Sequence, residues 1–150
     1  MPDVIINDIE KASAMAVNYL SRYVKTRAEL LGYLSRKKVE RGIAEKVADK
    51  CEQYGYLNDE NYVKMYVDYK GKSKSKRQIK FELKTKGIGE ELIEPAQFND
   101  RIAIENLVRK FFNKKEKSPE NLMKLKGSLV RKGFTFDDIN GILGEYESWD

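Results

Sequence analysis

Between Lys70 and Ile88 the chain reads KGKSKSKRQIKFELKTKGI, with Lys70, Lys72, Lys74, Lys76, Arg77, Lys80, Lys84 and Lys86 set against one acid, Glu82. That stretch carries a net +7, whereas the whole chain of 150 residues carries +5. The remainder is therefore slightly acidic, and the positive charge is gathered where a polyanion could meet it. Ile79 and Leu83 stand four apart and Gly87 follows, the pattern of a helix from about Ser75 to Lys86 with an apolar face and a glycine stop. At 100° per residue Lys76, Lys80 and Lys84 form a ridge along one side, with Arg77 on its flank. Like charges at that spacing repel, so the ridge costs helix stability until something neutralises it. The plainer alternative is a solvated lysine-rich face.

Other chemistry finds little material. No histidine is present, which removes the usual neutral-pH general base and the commonest zinc ligand. The single cysteine, Cys51, has no histidine to activate it and reads as a buried helical thiol. Gly87 and Gly89 match neither nucleotide-binding fingerprint. Asp59–Glu60 and Asp137–Asp138 could in principle hold magnesium, but both pairs fall at expected helix starts, where the helix dipole already accounts for them. The sequence thus offers no catalytic residue, no metal ligand set and no cofactor site. The lone cysteine and the lack of a secretory leader in MPDVIINDIEK suit a reducing cytoplasm. No apolar run approaches the roughly 18–20 residues that span a bilayer.

The elements that would position the basic stretch are helical throughout. After a short apolar lead-in, Val4-Ile5-Ile6, Asn7 with Glu10 forms a capping pair. The helix it opens carries Ala12, Met15, Ala16, Tyr19, Leu20 and Tyr23 at helical spacing. Thr26-Arg27-Ala28-Glu29 is a capping box before Leu30, Leu31 and Leu34. A third helix runs from about Arg41 to Tyr54, with Ile43, Val47 and Cys51 inward. Asn58-Asp59-Glu60 then caps a helix bearing Tyr62, Val63, Tyr66, Val67 and Tyr69, whose tyrosines read better as a core stripe than as a base-stacking row. The basic helix and a short one from about Glu90 follow, and Pro95 limits the latter. Asn99-Asp100 opens a helix with Ile102, Ile104, Leu107, Val108, Phe111 and Phe112. Ser118-Pro119-Glu120 starts the next, and Thr135-Phe136-Asp137-Asp138 caps the last, through Ile139, Ile142, Leu143 and Tyr146.

These helices fall into three groups of three, and the groups repeat. Leu30-x₃-Leu34-x₂-Lys37-Lys38-Val39 aligns with Ile79-x₃-Leu83-x₂-Lys86-Gly87-Ile88 and with Leu125-x₃-Leu129-x₂-Lys132-Gly133-Phe134. One such unit buries little alone, so neighbours must stack. The fold class expected is all-α: three tandem three-helix repeats, at 1–57, 58–98 and 99–150, stacked into an elongated, curved rod.

Thr26-Arg27-Ala28-Glu29-Leu30, Gly55-Tyr56-Leu57-Asn58-Asp59-Glu60, the Lys86-Gly87-Ile88 turn and Lys132-Gly133-Phe134-Thr135-Phe136-Asp137-Asp138-Ile139 together resemble the RecX family of bacterial RecA regulators. The likeness runs from about Ala12 to Tyr146. Two positions depart from the family pattern: Lys38 replaces the turn glycine, and Phe81 stands where a polar residue is usual. The resemblance implies no enzymatic activity. It implies binding along the groove of the RecA filament on single-stranded DNA, with suppression of ATP hydrolysis, coprotease action and strand exchange. The setting implied is DNA repair, homologous recombination and the SOS response.

Lys70, Lys72, Lys74, Lys76, Arg77, Lys80, Phe81, Lys84 and Lys86 are the candidate contacts for RecA or nucleic acid. Partners are the RecA filament and its single strand, with free DNA as an open alternative; no membrane is involved and a monomer is expected. The alternative function is an autonomous helical DNA-binding protein using the same basic stretch. Phe81 leaves two readings open, because it projects about 160° from Leu83. Either it fills a gap against a neighbouring helix, or it lies exposed as an apolar anchor.

Overall fold

The computed structural model describes residues 5–144, so Val4 and Tyr146 lie outside the described residues. Nine helices are present among them: α1 (Ile9–Arg22), α2 (Arg27–Arg36), α3 (Arg41–Gln53), α4 (Asp59–Lys70), α5 (Lys76–Thr85), α6 (Glu90–Ile93), α7 (Asp100–Lys114), α8 (Pro119–Arg131) and α9 (Phe136–Leu143). The fold is all-α. The apolar lead-in contributes one isolated parallel bridge, Ile6 to Val39.

The caps follow the sequence closely. Thr26 and Glu29 form the reciprocal capping box on α2, Ser118 caps α8 ahead of Pro119, and Thr135 caps α9. One cap is corrected. At α1 the carboxylate of Asp8, not Asn7, accepts the N–H groups of Glu10 and Lys11, at 3.0 and 3.4 Å. Asn58 and Asn99 do cap α4 and α7, and the aspartates after them, Asp59 and Asp100, are engaged elsewhere.

Their engagement joins the helix groups. Thr26, fully buried, accepts the Glu29 N–H at 3.1 Å and donates its hydroxyl to the Lys86 carbonyl at 2.7 Å. Beside it Asp59 accepts the first N–H of α2, from Arg27, at 2.9 Å. The same set recurs 49 residues on in the hydroxyl and 41 on in the carboxylate. Ser75, also fully buried, accepts from Gln78 at 3.1 Å and donates to the Lys132 carbonyl at 2.7 Å. Asp100 accepts the first N–H of α5, from Lys76, at 2.8 Å. A helix start, whose amide protons have no partner within the helix, is thus sealed by a carboxylate from the next group.

The turns that end α2, α5 and α8 complete the joint. Lys38, Gly87 and Gly133 have φ of 66°, 83° and 96°, and the N–H after each returns to the carbonyl of Leu34, Leu83 and Leu129, a Schellman-type closure. At Gly87 a Cβ would lie 2.2 Å from the Ala28 Cβ, and at Gly133 one would lie 3.0 Å from the Ser75 hydroxyl. Glycine is required there twice over, for the backbone angle and for the approach of the preceding helix start. Lys38 belongs to the first group and adopts the left-handed conformation at a cost of about 1–2 kcal/mol.

Two compact units result. One comprises the described residues up to Val63 with Leu83–Glu94, and the other Lys64–Glu82 with the described residues from Pro95 onward. The first is cored by Ala12, Ala16, Leu30, Leu34, Val47, Ala48 and Cys51, and the second by Ala103, Ile104, Val108, Leu125, Leu129, Ile139 and Leu143. Each unit holds one complete set of the hydroxyl, carboxylate and turn contacts.

Some expected core positions face outward. Tyr69 is exposed, whereas Val63 and Val67 of the same helix are buried; Tyr69 sits about 200° around from Val67. Ile102 is exposed because Ala103, Ile104 and Val108 define the inner face of α7. Tyr23 is exposed because it is the C-cap of α1, where the backbone turns extended at φ −140°.

Candidate functional site

The basic stretch does not form a uniform ridge, because the tertiary structure gives its side chains different partners. Glu82, the stretch's one acid, is largely buried and gathers three donors. Lys74 lies 2.7 and 3.0 Å from its two oxygens, the Gln78 amide donates at 2.9 Å, and the Tyr66 hydroxyl donates to it as well. Burial works to raise the Glu82 pKa, but the hydrogen bonds from Lys74, Tyr66 and Gln78 outweigh it and hold the carboxyl at about 2. Lys74 is therefore committed to tying the α4–α5 turn to α5, a role its place in a lysine run did not reveal.

In the same unit Lys76 and Lys80 direct their ammonium groups over the ring of Phe98, at 5.7 and 5.8 Å from its centroid. Two cation–π contacts of about 0.5–1 kcal/mol each offset the repulsion expected of lysines four apart. Phe98 also lines a cleft of about 300 Å³ with Lys72, Lys74, Asp68 and Asp100. Burial pushes the Asp100 carboxyl up while the Lys76 N–H pulls it down, with a net upward shift. Lys70 lies 5.8 and 5.4 Å from the rings of Tyr66 and Tyr69. Lys72, Lys76 and Arg77 are exposed and Lys80 is half-buried.

Phe81 is 66% exposed. The reading in which its ring fills a core gap is thereby overturned, for the angular reason already apparent: Ile79 and Leu83 take the inner face and are buried.

The last two lysines belong to the first unit. Lys84 pairs with Glu90 at 2.9 Å, and Lys86 lies 3.8 Å from Glu29. Burial raises the pKa of the Tyr62 phenol against the opposing influence of Lys86. Arg27 reaches Asp49 and Glu52 at 2.8 and 2.9 Å, which fastens α2 to α3.

Cys51 is buried and burial pushes its thiol pKa up, away from the reactive thiolate. No group of three or more metal-ligating side chains gathers among the described residues. No helix among them is long and apolar enough to cross a membrane.

Sequence reasoning missed Phe98, the Glu82 network and the hydroxyl–carboxylate joints. The joints had no distinguishing signal: Asn-Asp recurs at 7–8, 58–59 and 99–100, but Asp8 of the first pair only caps its own helix. Phe98 had none, being one aromatic in an irregular segment.

Comparisons with known proteins agree with this architecture. Residues 58–96 match the family model described as RecX, second three-helix domain. The regulatory protein RecX of Bacillus pumilus is 34% identical over 91% of this chain and 56% of its own length. The RecX of Bacillus licheniformis is 32% identical, over 59% of its length, so the chain spans less than two thirds of these two relatives. A crystal structure of RecX from Lactobacillus salivarius superposes with a TM-score of 0.79 at 29% identity, covering 93% of this chain and 96% of that one. The regulatory protein RecX of Caldanaerobacter subterraneus subsp. tengcongensis is 32% identical over 92% of this chain and 73% of its own length, and the chain belongs to the RecX family.

Proposed function

We propose that this chain is a non-enzymatic, cytoplasmic regulator of the RecA recombinase. It acts as an inhibitor, lying as a monomer in the groove of the RecA filament on single-stranded DNA and suppressing ATP hydrolysis, coprotease action and strand exchange. It requires no cofactor, and its three helical repeats are the units that engage the filament. The relatives' name, regulatory protein RecX, supports the regulatory part of this reading. The observation that carries the site is the exposed set Lys72, Lys76 and Arg77, with half-buried Lys80 beside them and Phe81 exposed among them. Cations around an exposed aromatic suit a contact that combines charge with an apolar anchor.

The test compares binding to single-stranded DNA alone with binding to the RecA–DNA filament, alongside the filament's rate of ATP hydrolysis. The filament should be bound more tightly and its hydrolysis suppressed. If about four of these groups meet phosphate on a single strand, log K should fall against log[salt] with a slope of roughly −3. The double reversal Lys76→Glu, Lys80→Glu should remove inhibition and leave the helical circular dichroism intact. Salt-independent binding would exclude direct phosphate contact. Equal binding to DNA with and without RecA would favour the autonomous DNA-binding alternative.

A further inference from the structure

We propose that the first compact unit carries a second ligand site, a stacking platform for single-stranded nucleic acid built on Tyr19, Tyr23 and Tyr33. It uses none of the residues between Lys70 and Lys80 and needs no filament. Tyr19 of α1 and Tyr33 of α2 stack face to face, with centroids 4.0 Å apart and planes 2° from parallel. Tyr23 stands beside the pair, its centroid 6.2 Å from Tyr19 and its plane tilted by 56°, and the residue is 56% exposed. A cation stands at each end. The Lys25 ammonium is 5.5 Å from the Tyr23 ring and 6.0 Å from Tyr19, and the Lys37 ammonium is 5.8 Å from Tyr33.

A groove of about 360 Å³ runs beside the row, lined by Tyr19, Lys25, Arg36 and Lys86, with Glu29 as its one acid. That acid is already engaged, by the Thr26 N–H at 3.0 Å and by Lys25 and Lys86, each at 3.8 Å. The groove is therefore net positive and is bordered by Tyr19, whose neighbour Tyr23 is the exposed ring of the three. Single-strand binding combines these same features, a cationic track for the backbone and rings on which unpaired bases stack. A duplex hides its base faces, and an acidic peptide would leave the Tyr23 ring unused. Unpaired bases with their phosphates are the chemistry that uses both.

The experiment measures binding of a fluorescein-labelled oligo(dT) of about 16 nucleotides, the upper site size of one small single-strand module, to the full chain by anisotropy across a salt series. Tyr23→Leu keeps apolar bulk and removes the π face. It should weaken binding about tenfold with the salt slope unchanged, while Tyr23→Phe stays near the parent. In the Lys76→Glu, Lys80→Glu background the Tyr23→Leu loss should persist. A 4-thiothymidine oligonucleotide should crosslink to the segment from Tyr19 to Lys37. Unchanged affinity in Tyr23→Leu, or crosslinks confined to residues 70–80, would overturn the platform and leave the filament proposal standing. Loss of filament binding in Tyr23→Leu without any oligonucleotide binding would mark the row as a protein contact and overturn it too.

Discussion

Neutralising Glu82 should remove a pH-dependent share of the stability of the unit that contains it. Its carboxyl is held at about 2 against an ordinary 4.5. At about 1.4 kcal/mol per tenfold change in proton affinity, that difference corresponds to about 3 kcal/mol. The Glu82 side chain is 17% exposed and that of Lys74 36%, so water screens part of the pair and about 2 kcal/mol is the expected loss in Glu82→Gln at neutral pH. The sign follows from the folded value lying below the unfolded one. The contribution is complete above about pH 4.5 and vanishes as pH falls toward 2. Parent and variant should therefore differ at pH 7 and converge near pH 2 in urea unfolding followed by circular dichroism. A ¹³C titration of the Glu82 carboxyl reads the same quantity directly. Parallel stability curves across the whole range, or a carboxyl midpoint near 4.5, would refute the network as described. The variant also frees Lys74, so its affinity for oligo(dT) should rise slightly rather than fall.

Gly87→Ala should destabilise the first unit by about 2–4 kcal/mol, since the left-handed angle and the 2.2 Å approach to Ala28 both oppose a Cβ; thermal unfolding measures it. Lys38→Gly should do the reverse and stabilise by up to about 1 kcal/mol, by relieving the same conformation in a residue that has a side chain. Asp59→Ala and Asp100→Ala should each cost about 1–2 kcal/mol through the uncapped starts of α2 and α5, with the Asn variants close to the parent because they keep the accepting oxygen. Phe81→Ala should change stability by less than about 0.5 kcal/mol. It should nevertheless weaken binding to the RecA–DNA filament by more than about 1 kcal/mol, and an unchanged filament affinity would end the anchor reading.

What could be read from the amino-acid sequence alone was local. The capping residues at Thr26, Ser118 and Thr135, the left-handed stops at Gly87 and Gly133, and the helical spacing of Leu30 with Leu34 or Leu125 with Leu129 depend on a few neighbouring residues. The helices at those positions therefore start or end where the pattern places them. The shared helix endings at Lys38, Gly87 and Gly133 were legible for the same reason, since each follows one pattern of spacing. Contacts between residues far apart in the chain were not legible. Nothing near Asp59 says that its carboxylate closes α2, 32 residues earlier, nor does anything near Thr26 show that its hydroxyl ends on Lys86, 60 residues later. The charge of the Lys70–Lys86 run could be counted from the sequence, but its availability could not. Only the packed structure assigns Lys74 to Glu82, Lys84 to Glu90, and Lys76 and Lys80 to the ring of Phe98. Helix spacing fixes which face a side chain occupies, but the partner it meets there is supplied by distant segments that the fold brings alongside.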